Sequence, residues 1–77
     1  MTADKVIRAA LLKAGVRNLK EFGYPQVTEV NILHDDIFRR FFHSMLKDNL
    51  GKGTAAQEAE IKKLLAETDA SNDEGQI

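Results

Sequence analysis

Between residues 35 and 49 the apolar positions separate from the polar ones with the period of a helix. At about 100° per residue, Ile37, Phe38, Phe41, Phe42, Met45 and Leu46 fill one continuous arc of roughly half a turn, and Asp36, Arg39, Arg40, His43, Ser44 and Lys47 fill the other side. Asp35 and Asp36 suit the positive end of such a helix and Lys47 its negative end. Asp35 with Arg39 and Asp36 with Arg40 stand four apart, the spacing of supporting ion pairs. Ile37, Phe38, Phe41, Phe42 and Met45 are therefore expected to form the core.

Two other segments carry a helical pattern. Ahead of it, Ile7, Ala10, Leu11 and Ala14 recur on one face, with Thr2 as a cap and Asp4 in the first turn. Gly15 is expected to end this helix, because a glycine readily takes the left-handed C′ conformation. Leu19 and Phe22 then suit one or two further turns, stopped by Gly23 and by Pro25, which forces Tyr24 towards extended backbone. In residues 27–33, Val27, Val30 and Leu33 are three apart and Thr28 can cap a short turn, so a loop with one helical turn is predicted. Gly51 and Gly53 break the chain after the phenylalanine helix. Thr54 followed by Gln57 has the capping-box spacing and opens a last helix with a narrow stripe, Ile61, Leu64 and Leu65. Glu58 with Lys62 and Lys63 with Glu67 are expected to pair along its outer face.

The expected architecture is all-α: a small bundle of three main helices plus a short connecting helical turn, forming one domain over residues 1–68. Residues 69–77, DASNDEGQI, are polar and acidic and are expected to form a disordered tail.

Size and composition narrow the function. At 77 residues a chain buries only about 60% of its unfolded surface. It has no cysteine, which removes disulfides, thiolate metal sites and thiol catalysis. No apolar run approaches the ~18 residues of a membrane span, and the first residues lack the layout of a signal peptide, so a cytoplasmic protein is expected. Net charge is −1, unevenly placed: residues 1–53 carry nine Lys/Arg against six Asp/Glu, residues 54–77 two against six. Neither half has the strongly basic balance of a dedicated nucleic-acid binder.

Specific chemistries fail on spacing. His34 and His43 are nine residues apart, about half a turn around a helix, and do not converge on a metal. The sequence LGKGT at 50–54 lacks the upstream glycine of a phosphate loop and follows a helix rather than a strand. Ser44 has His43 beside it in sequence and therefore about 100° away, which gives no activated nucleophile. A helix-turn-helix around Gly15 would have a second helix cut short by Gly23 and Pro25. No enzyme activity, no cofactor, no metal and no small-molecule substrate are expected.

The segment KAGVRNLKEFGYPQVTEVNIL, followed by RFFHSMLKDN, covers residues 13–49. Its turn FGYP, the NIL before the long helix and the FF, SML and DN within that helix resemble small uncharacterised proteins of tailed phages and prophages. The resemblance implies a product made inside a bacterium and carries no activity or functional residue.

What remains is a non-enzymatic protein-interaction module that binds a protein partner or itself. A half-cylinder of apolar surface is more than two short neighbouring helices cover, so part of it is expected to stay exposed and to favour a homodimer. The candidate partner contacts are Leu46 and Leu50, with Leu64 across from them, and the polar side of the same helix at Arg39, Arg40, His43 and Lys47. The alternative is a weak nucleic-acid-associated accessory protein using Lys5, Arg8, Arg39, Arg40 and Lys47.

Overall fold

A computed structural model describes residues 3–69. Three helices, α1 (Ala3–Phe22), α2 (Asp36–Asp48) and α3 (Ala55–Thr68), pack with one 3-10 turn (Asn31–Leu33), and the described residues contain no strand. The expected all-α bundle is the observed one. The cap expected at Thr2 and the tail from residue 70 onward lie outside the described residues, and Asp69 caps the C-terminal end of α3.

Gly15 does not end α1. The helix runs through it to Phe22, at a propensity cost of about 1 kcal/mol relative to alanine. The reason is packing. A Cβ at this position would stand 2.6 Å from Cδ1 of Phe42 and 2.8 Å from Cδ1 of Ile32. The glycine is what lets the Phe42 ring lie against the α1 backbone. The inward face of α1 therefore centres on Gly15 and Leu19, with Leu11, Leu12 and Val16 packed beside it, and the Ala10 side faces solvent.

The left-handed stop comes at Gly23, φ +117°. The amide of Gly23 donates to the Lys20 carbonyl (3.2 Å) and that of Tyr24 to the Leu19 carbonyl (2.9 Å). This is the paired closure of a Schellman motif, and Pro25 prevents any continuation. Thr28 and Asn31 then brace the connection. The Thr28 amide donates to Asn31 Oδ1 (2.7 Å) and the Asn31 amide to Thr28 Oγ1 (3.1 Å). That brace sets Val27 and Ile32 into the core as plugs.

Asp35 caps α2 with its carboxylate, accepting from the amides of Ile37 (3.0 Å) and Phe38 (3.3 Å). Arg39 pairs with Asp36, three residues before it, at 2.9 Å. At α3 both halves of the capping box are formed, Gln57 amide to Thr54 Oγ1 and Thr54 amide to Gln57 Oε1. The core is Leu19, Val27, Ile32, Phe38, Phe42, Leu46, Ile61 and Leu64.

Candidate functional site

The phenylalanine helix is buried on one side of its apolar arc only. Phe38, Phe42 and Leu46 are inside, and Met45 is half-buried. Ile37 and Phe41, expected in the core, are 54% and 37% exposed. The apolar arc is wider than the surface α1 and α3 present to it, so its α1-side edge stays uncovered. Leu46 and Leu64, expected as an exposed strip, are fully buried where α2 packs on α3. The uncovered edge is the opposite one. Leu50 is exposed, but at the turn between α2 and α3, far along the helix from Ile37 and Phe41.

The exposed edge has a second contributor. Phe22, in the last turn of α1, is 67% exposed. Its ring centroid lies 4.7 Å from that of Phe41, tilted by 56°. Tyr24 joins them, 6.0 Å from Phe41 and 5.6 Å edge-on to the buried Phe38. The two helices run antiparallel along this seam. Asn18 Nδ2 reaches Met45 Sδ at 3.0 Å, one turn along from the Phe22–Phe41 contact. The result is an aromatic ridge, Phe22, Tyr24 and Phe41, continued along α2 by Ile37. The sequence pattern pairs Phe22 with Leu19 in a closing helical turn and not with Phe41. Its signal is positional: three residues past Leu19 and just before the Gly23 stop, it stands where the helix ends and nothing further covers it.

The polar side of α2 is occupied internally. Asp36 accepts from Arg39 (2.9 Å) and approaches Arg40 at 3.4 Å. His43 Nδ1 lies 2.9 Å from Thr68 Oγ1. The buried Thr68 hydroxyl also donates to the Leu64 carbonyl (2.7 Å). His43 thus ties α2 to the end of α3. Lys47 is exposed in the last turn of α2.

Charges on α1 and α3 also pair differently from the expectation. Glu67 meets Arg8 in a two-pronged contact, 2.7 Å at each oxygen, joining α3 to α1. The hydrogen bond from Arg8 holds the Glu67 carboxyl below its ordinary value, against a smaller opposing effect of burial. The same bond raises the Arg8 guanidinium. Glu58 accepts from the Gly51 amide (2.8 Å), and Lys63 approaches Glu60 (3.3 Å). Glu60 is only 3% exposed, and its Oε2 has no hydrogen-bond partner among the described residues. An uncompensated buried oxygen of this kind lowers stability. Of the basic residues considered for nucleic acid, Arg8 and Arg39 pair closely with carboxylates, and the exposed Arg40 stands 3.4 Å from Asp36.

A cleft of about 450 Å³ opens between α1, the α2–α3 turn and α3, walled by Val6, Ile7, Leu11 and Ile61, with Lys52 and Gln57 among its polar lining. Lys52 is its one titratable group among the described residues. Among those residues no three His, Asp or Glu side chains gather as a metal site, and no helix is long and apolar enough to cross a membrane. The chain matches no protein-family model, no curated protein and no solved structure.

Proposed function

We propose that this protein is a small non-enzymatic protein-interaction module, and that its working surface is the aromatic ridge of Phe22, Tyr24, Phe41 and Ile37. One observation carries this: Phe22 keeps two thirds of its surface in solvent while its ring lies against a second, partly exposed phenylalanine. Isolated exposed apolar residues are ordinary, whereas a contiguous aromatic patch marks a contact surface. Aromatic side chains also dominate the energetics of such contacts. The occupant it suits is an apolar protein surface. Phosphate recognition gains nothing from the ridge itself, because the ridge is apolar, and beside it Arg39 is paired with Asp36. The likeness of residues 13–49 to small phage proteins makes a bacterial cell the setting in which to seek the contact.

Photo-cross-linking tests the proposal. A benzophenone amino acid replaces Phe22 in one variant and the exposed Lys62, on α3, in a control. A discrete protein adduct from position 22 and none from position 62 is the expected result. Equal, diffuse labelling from both positions would sink the ridge as a working surface.

A further inference from the structure

We infer that the occupant of the ridge is a second copy of this chain, related by a two-fold axis running along the α1/α2 seam between Phe22 and Phe41. This rests on the preceding proposal that the ridge is a contact surface.

The ridge is complementary to itself. Phe22 and Phe41 stand at the same level on opposite sides of the seam, 4.7 Å apart. A two-fold axis along the seam exchanges the two sides. It sets Phe22 over the partner's Phe41 and Phe41 over the partner's Phe22, closing four rings into one cluster. Edge-on and offset arrangements of such rings are favourable.

The flanking charges obey the same symmetry. Glu21 precedes Phe22 and Arg40 precedes Phe41, and both are exposed. On a helix the preceding residue is turned about 100°, which carries Glu21 to the outer edge on the α1 side and Arg40 to the outer edge on the α2 side. The axis that swaps the phenylalanines also brings Glu21 opposite the partner's Arg40, twice. Asp36 does not prevent this, because its 3.4 Å contact to Arg40 is loose and both side chains are more than half exposed. One acid on one edge and one base on the other offer nothing to a strongly acidic or strongly basic partner. They suit a surface carrying the reverse arrangement, which the two-fold copy supplies.

The area sets the strength. With about 150–250 Å² on a large side chain, the exposed fractions of Phe22, Phe41 and Ile37 amount to roughly 300 Å² per copy. A standard stable interface buries about 800 Å² per partner. The ridge therefore forms the apolar centre of a small contact, and the dimer is reversible and concentration-dependent.

Sedimentation equilibrium of the full chain over a hundredfold range of concentration tests this, with circular dichroism on each variant. The wild type passes from monomer to dimer, and Phe22→Ser remains monomeric with unchanged helicity. Glu21→Arg and Arg40→Glu each place like charges together at both edges and weaken association about tenfold. The double variant Glu21→Arg/Arg40→Glu recovers it. A wild type that stays monomeric throughout overturns the inference. So does a dimer indifferent to both single charge changes, or one that the double variant fails to restore. A monomer whose position 22 still cross-links to a different protein overturns self-association alone and leaves the ridge a contact surface.

Discussion

Phe41 and Phe42 are adjacent in sequence and lie on the same apolar arc, yet they have different tasks. Phe42 is 1% exposed, and its ring meets the bare backbone of Gly15. Phe41 is 37% exposed and meets Phe22, which is itself in solvent. The 100° between them on the helix is the difference between the side of α2 that holds the fold together and the edge left for contact. A helix with an apolar arc wider than its neighbours can cover divides in this way, and the division falls where the neighbouring helix ends.

The largest expected effect is on the buried side. Phe42→Ala costs about 3–5 kcal/mol, the loss for a large ring in a packed site. At roughly 0.05–0.15 kcal/mol per residue, a domain of this length loses most of its stability. Thermal melting followed by circular dichroism should show a largely unfolded variant. A native melting curve would remove Phe42 from the core.

Gly15→Ala comes next. It gains about 1 kcal/mol in helix propensity and pushes a methyl group into the Phe42 and Ile32 side chains, where overpacking costs about 1–3 kcal/mol. The clash wins because both neighbours are themselves fixed in the core, so a net loss of up to about 2 kcal/mol is expected in chemical denaturation. A stabilised variant would mean that α1 and α2 are further apart than described.

On the exposed edge the stability effects are smaller. Phe41→Ala should cost about 1 kcal/mol, from partial burial and the loss of its ring contacts with Phe22 and Tyr24. Helicity should be unchanged, and any loss larger than that of Phe42→Ala would reverse the comparison. The smallest effect is the Arg8–Glu67 bond, which is a third to nearly half exposed. Such pairs contribute about 0.2–1 kcal/mol after screening. Because Glu67 is held below its ordinary value near 4.5, this contribution is complete above that value and lost as pH falls through the lowered folded value. A Glu67→Gln variant should therefore show a shallower loss of stability on acidification than the wild type. Identical acid profiles would show that the bond contributes nothing.

Much of the fold was legible in the sequence because local chemistry sets the helix boundaries. Asp35 and Asp36 at the start of α2, the Thr54–Gln57 box, the glycines at 51 and 53 and the Gly23–Tyr24–Pro25 stop are signals read within a few residues. Gly15 was not legible, since the same residue serves a left-handed stop and a close helix contact, and only the approach of Phe42 distinguishes them. Periodicity gave the width of the α2 arc but not which edge its neighbours leave bare. The bare edge was therefore sought at Leu46 and found at Phe41. Of the expected ion pairs, Asp36 with Arg40 is present, at 3.4 Å; those along α3 were misassigned for a related reason: spacing within one helix competes with partners brought in from elsewhere, as Arg8 is to Glu67 and the Gly51 amide to Glu58. The burial of Glu60 has no sequence signal, because it depends on packing between helices.

The most direct test of the division of α2 is ring exposure in solution. In protein labelled at phenylalanine and kept dilute enough to be monomeric, a soluble paramagnetic agent should broaden the ring NMR signals of Phe22 strongly and those of Phe41 clearly. The signals of Phe38 and Phe42 should remain sharp. Equal protection of all four rings would contradict the account, because no aromatic surface would then be available for a partner of any kind.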